Sequence, residues 1–144
     1  MEALGTHLLI ELRDCNASIL RDLKKIESIL LTAAKAAKAT VVESRFHQFN
    51  PFGISGVVVI AESHLTIHTW PEFEYAAVDI FTCGNTLQPD HATDYLVKHL
   101  ESKNPSMVSL KRGFLSGEKP PQEMHAIVAK EGNHVSGKIL QVVR

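Results

Sequence analysis

A chain of 144 residues suits one domain with a hydrophobic core, and its 44% hydrophobic and 22% charged residues are ordinary for a globular protein. With 15 basic and 16 acidic residues the formal net charge is −1, so no basic field draws nucleic acid, and no apolar run is long enough to span a bilayer. Residues 1–7 lack the layout of a signal peptide, and the two cysteines, Cys15 and Cys83, form no CxxC pair; the expectation is a reduced, cytoplasmic protein with neither nucleic acid nor membrane as partner.

Residues 4–12 read as a first strand around Leu8, Leu9 and Ile10, ending at the turn-like Asp14-Cys15-Asn16. Asn16 is a natural helix N-cap. Ile19, Leu23, Ile26, Leu30, Ala33 and Ala37 follow at helical spacing, with Arg21, Lys24, Lys25 and Lys35 on the other face. This predicts one amphipathic helix that packs on something flat. Four strand-like runs come next: residues 40–49, 54–61, 65–70 and 75–81, separated by Pro51-Phe52-Gly53, a short gap, and Pro71-Glu72-Phe73-Glu74. Such close spacing favours antiparallel hairpins. Residues 89–100 suggest a second helix and 106–114 a further strand. The order implies an α+β two-layer sandwich, an antiparallel sheet with the helices packed on one face. Residues 1–115 would form that domain, and 116–144 a C-terminal extension interrupted by Gly117, Pro120, Pro121, Gly132 and Gly137, with a candidate short strand at 138–143.

The run Ala61-Glu62-Ser63-His64-Leu65-Thr66-Ile67-His68-Thr69-Trp70-Pro71-Glu72 holds the densest chemistry. A serine hydroxyl can reach the carbonyl carbon of the preceding residue and convert that amide to an ester; elimination then leaves dehydroalanine, which hydrolyses to a pyruvoyl group. The shift needs a base and donors for an oxyanion. An imidazole exchanges protons near neutral pH, which makes His68 a candidate. Strand alternation, however, places Ser63, Leu65 and Ile67 on one face and His64, Thr66, His68 and Trp70 on the other. Only a turn or bulge at Ser63 would break that parity. Locally, a polar strand face with two histidines is more often a plain surface or interface, and Cys83 a small residue closing a strand. A zinc site from His64, His68, Asp79 and Cys83 is disfavoured, because His-x₃-His on a strand does not converge as it does on a helix; no metal is expected.

Leu4-Gly5-Thr6-His7-Leu8, Phe46-His47-Gln48-Phe49, Pro51-Phe52-Gly53-Ile54-Ser55-Gly56, the run from Glu62 to Glu72, and Asp79-Ile80-Phe81-Thr82-Cys83-Gly84 together resemble the prokaryotic S-adenosylmethionine decarboxylase proenzymes over about the first 115 residues. The resemblance implies self-cleavage between Glu62 and Ser63, giving a β chain of residues 1–62 and an α chain of residues 63–144 headed by a pyruvoyl cofactor made from Ser63. It implies that this group forms a Schiff base with the substrate amine, that His68 is the processing acid/base and Ser55 its assistant, and that Cys83 is the proton donor in turnover. It assigns substrate binding to Phe49, Leu65, Trp70 and Glu72, through aromatic stacking on adenine and a carboxylate on the ribose hydroxyls. The implied product is the aminopropyl donor for spermidine synthesis, and the implied assembly a homodimer of processed protomers acting on a small-molecule substrate at their interface. Relatives on this scaffold also decarboxylate arginine or ornithine, and a non-processing regulatory homologue is a third possibility. Position 74 holds an acidic residue where the family pattern implies glycine or another small or polar one.

Overall fold

Period-two alternation in β1 (Gly5–Arg13) buries Leu8, Ile10 and Leu12 on one face and leaves His7, Leu9 and Glu11 half-buried on the other. The same alternation recurs in β3 (Ile54–Ile60), β4 (Ser63–Trp70) and β5 (Tyr75–Cys83), whose Val58, Leu65, Ile67, Val78 and Ile80 join that core. In this computed structural model the described residues are 3–84, 86–114, 126–131 and 134–139. With β2 (Val41–Gln48), β6 (Asn104–Arg112), β7 (Ala126–Glu131) and β8 (His134–Ile139) the strands form one antiparallel sheet in the order β2-β3-β4-β5-β1-β6-β7-β8.

The expected single helix after Asn16 is two. Asn16 caps α1 (Ala17–Leu20), its side chain accepting from the amides of Ser18 and Ile19. The chain then turns extended at Asp22, whose carboxylate caps α2 (Leu23–Ala36) through the amide of Lys25 at 3.1 Å. A second capping side chain six residues after the first ends one helix and starts the next, although the apolar spacing runs through both. Ile26, Leu30, Ala33 and Ala34 of α2, with Ala92 and Leu96 of α3 (Pro89–His99), cover the core face. Thr69 fastens α1 to the sheet: its buried hydroxyl donates to the carbonyl of Leu20 at 2.8 Å and accepts from the amide of Ile54 at 2.9 Å.

β4 starts at Ser63, two residues before the expected strand at 65, and a single turn of 3₁₀ helix (Pro71–Phe73) links it to β5. Glu74 closes this link at φ 50°, the left-handed region that favours glycine. That backbone is the physical reason a glycine is expected there. The tail contributes two strands instead of one: β7 pairs with β6 and β8 with β7, continuing the sheet. Of the expected strand at 138–143, residues 138 and 139 lie in β8; 140–143 fall outside the described residues.

Candidate active site

A two-residue turn, Ala61-Glu62, connects β3 to β4, with Ile60 facing Ser63 across the hairpin. Neither turn residue has a positive φ; the unusual torsion falls one residue later, at Ser63, with φ 146°. Residues other than glycine rarely enter that region, at a cost of order 1–3 kcal/mol. The bond before Ser63 is also held on both sides. The carbonyl oxygen of Glu62 accepts from the amide of Cys83 at 2.9 Å, at the end of β5. Thr40 clamps the turn from the other side: its carbonyl accepts from Ala61 at 2.9 Å, and its amide donates to the Glu62 carboxylate at 3.2 and 3.4 Å.

The imidazole beside Ser63 is not the expected one. Ser63 Oγ lies 3.5 Å from Nδ1 of His64, its neighbour in sequence, while His68 is five residues further along β4, about 16 Å away at roughly 3.3 Å per residue. His64 belongs to a cluster across β1, β5 and β6 on the face that none of the described helices covers. Its ring meets His7 edge-on at 6.2 Å and Phe81 at 5.9 Å, and the Arg112 guanidinium sits 4.7 Å over the Phe81 ring. Arg112 donates to His7 Nδ1 at 3.1 Å, which fixes the proton of His7 on Nε2. That Nε2 is 3.4 Å from Asp79 but too poorly aligned for a hydrogen bond, and Asp79 in turn accepts from Thr66 at 3.0 Å. Burial holds the His64 pKa below the ordinary 6.5; the neighbouring His7 and Arg112 add to this and Asp79 opposes it.

The other expected site residues lie elsewhere on the sheet. His68 is exposed and its Nδ1 is 2.7 Å from Ser55 Oγ, a hydrogen bond whose direction follows the imidazole tautomer. Phe49, Trp70 and Glu72 are exposed and collect at the far end of the sheet, where Trp70 stacks on Tyr75 at 5.3 Å and His47 meets Phe49 edge-on at 4.7 Å. Trp70 stands seven positions beyond Ser63 on β4, about 23 Å. Leu65 is fully buried on the helix-covered face, so its side chain does not line a site on the uncovered one. Cys83 is exposed beside Glu62, not a buried strand-closing residue, whereas Cys15 is buried and its thiol is pushed up to about 11, chiefly by burial. Among the described residues no group of three or more His, Cys, Asp or Glu could hold a metal ion, and no helix is long and apolar enough to cross a membrane.

Residues 6–113 match the family model described as S-adenosylmethionine decarboxylase. The chain belongs to the S-adenosylmethionine decarboxylase family. Within it, a protein of Thermodesulfovibrio yellowstonii named S-adenosylmethionine decarboxylase proenzyme is 60% identical over 126 residues, 86% of this chain and 93% of its own length. A proenzyme of the same name from Caldanaerobacter subterraneus is 52% identical over 120 residues, 83% and 95% of the two chains. The crystal structure of the adenosylmethionine decarboxylase from Aquifex aeolicus superposes with a TM-score of 0.75 at 36% identity, covering 83% of this chain and 99% of that one. The Trypanosoma brucei AdoMetDC monomer shares the fold alone, at 11% identity and a TM-score of 0.55, over 73% of this chain and 45% of that one.

His7, His64, Phe81 and Arg112 are the site residues that sequence reasoning did not assemble. Each sits in a different local context, and only the register His7↔Phe81↔His64 across β1, β5 and β4 brings three of them together. Long-range strand pairing leaves no local signal in the sequence.

Proposed function

We propose that this protein is a self-cleaving S-adenosylmethionine decarboxylase. Residues 1–115 form the decarboxylase domain, and the Glu62–Ser63 bond breaks to give chains of residues 1–62 and 63–144, the second headed by a pyruvoyl group made from Ser63. The observation that carries this reading is the state of that one bond: Ser63 is held at φ 146° while the Glu62 carbonyl already rests on the Cys83 amide at 2.9 Å. Cleavage abolishes the strained torsion, because the Ser63 nitrogen loses its acyl group.

The chemistry follows from these groups. Ser63 Oγ attacks the Glu62 carbonyl carbon through a five-membered ring, and the Cys83 amide stands where the developing oxyanion needs a donor. Collapse of the ring turns the amide into an ester. Loss of the Ser63 Cα proton expels the main-chain carboxylate of residue 62, the new C-terminus, and hydrolysis of the resulting dehydroalanine releases ammonia. The new ketone supplies the electron sink for the pair left behind as carbon dioxide departs. Cys83, exposed at the same spot, returns a proton to the substrate carbon.

The Ser55–His68 pair assists processing, Phe49 and Trp70 offer flat faces to adenine, and the Glu72 carboxylate accepts from ribose hydroxyls. In one chain these groups stand about 16–23 Å from Ser63 along the strand direction. A complete site therefore takes two copies, with a two-fold axis that lays the Trp70 end of one uncovered face over the Ser63 end of the other. The enzyme is a homodimer of processed protomers, cytoplasmic as its two free thiols favour.

Carbon dioxide release from carboxyl-labelled S-adenosylmethionine tests the activity, with arginine and ornithine in parallel. Release from S-adenosylmethionine alone is the expected result; release from either of the other two alone contradicts it.

A further inference from the structure

We propose that His64 is the general base of the first step of self-cleavage, taking the proton of Ser63 Oγ and returning it to the departing Ser63 nitrogen. The inference rests on the self-cleavage reading above and divides its two proton abstractions between two histidines.

The geometry is local to the scissile bond. His64 Nδ1 is the imidazole nitrogen beside Ser63 Oγ, at 3.5 Å, while His68 of the same chain is hydrogen-bonded to Ser55 and lies five residues along β4. A separation of 3.5 Å is long for proton transfer, and such contacts commonly tighten only as the reaction proceeds. The unusual torsion at Ser63 sets how its side chain meets the Glu62 carbonyl, and the next residue along the strand brings an imidazole to the same hydroxyl. The surroundings keep His64 in the form a base requires. Burial is the main cause, His7 on β1 and Arg112 on β6 add to it by disfavouring a further positive charge, and Asp79 on β5 opposes them. The resting imidazole is therefore neutral at neutral pH, and in its Nε2–H tautomer Nδ1 is the acceptor.

The step balances without a co-reactant. The Ser63 O–H bond breaks toward His64 Nδ1 and the Oγ–C bond to Glu62 forms. The C–N bond between Glu62 and Ser63 then breaks as the imidazolium gives its proton to the leaving nitrogen. The product is an ester isomeric with the starting amide. Removal of the Ser63 Cα proton in the following elimination is left to His68, supplied by the second copy.

Hydroxylamine separates the two steps, because it cleaves an ester linkage and leaves an ordinary amide intact. Wild-type proenzyme, captured early and incubated, should cleave; a wild-type chain that never cleaves overturns the parent reading and this one with it. His68→Ala should accumulate a chain that hydroxylamine splits at residue 62. His64→Ala should stay intact and hydroxylamine-resistant, with cleavage slowed by roughly 10²-fold, the lower end of general-base effects. Added imidazole should restore its cleavage, which a folding defect would not allow. In the wild type the cleavage rate should rise with pH as His64 deprotonates, reach half its plateau below pH 6.5, and stay flat through neutrality. A His64→Ala chain that cleaves at the wild-type rate, or that builds up a hydroxylamine-sensitive ester, overturns the assignment. So does a wild-type rate that keeps climbing above pH 7.

Discussion

Ser63 shows how much one residue depends on its torsion. Ideal alternation would point it into the covered face with Leu65 and Ile67; its φ of 146° sets how it meets the Glu62 carbonyl, and its hydroxyl lies 3.5 Å from His64. The sequence makes the need for a break at position 63 readable, because alternation forbids any histidine of the opposite face from serving it. Which histidine lies against the hydroxyl is not readable, since ideal alternation turns both away from it. Cys83 is the second residue with a dual place, its amide on the Glu62 carbonyl and its thiol exposed. Replacing the side chain leaves the amide in position. Cys83→Ala should therefore still cleave after Glu62, while turnover of S-adenosylmethionine falls about 10²-fold and decays during the assay as the returning proton is misdirected. Normal, sustained turnover would remove the thiol from the mechanism.

At the scale of elements, the hairpins and α3 follow directly from turn residues and alternation. The division of the first helical region does not, because the apolar stripe continues across Asp22 while the capping chemistry interrupts it. Where two local signals compete, the one that satisfies backbone amides prevails. The junction is secured by Thr69, which a sequence reading treats as one more β-branched strand residue. Thr69→Val keeps shape and strand propensity but leaves the Ile54 amide and the Leu20 carbonyl without the hydroxyl. Urea denaturation should register a loss of about 1–3 kcal/mol, the cost of unpaired buried polar groups. An unchanged midpoint would mean that other groups satisfy both.

For the molecule as a whole, the sheet has one face under helices and one that carries the polar and aromatic groups of the candidate site. The sequence yields the two layers through its apolar periodicities. It does not yield the separation between Ser63 at one end of β4 and Trp70 at the other, because spacing in a motif hides distance along a strand. Since a shared site follows from that separation, inactive chains should complement each other. Alone, Ser63→Ala and His68→Ala should both stay uncleaved; co-expressed, the His68→Ala chain should be cleaved using the imidazole of its Ser63→Ala partner. Failure to complement in a verified mixed dimer would place the whole reaction within one chain.

The most direct measurement is the intact mass of the purified wild-type protein after incubation. Two chains are predicted, one ending at Glu62 and the other beginning with residue 63 as a pyruvoyl group, blocked to N-terminal sequencing. A single chain with the mass of all 144 residues, persisting after prolonged incubation, would contradict the account.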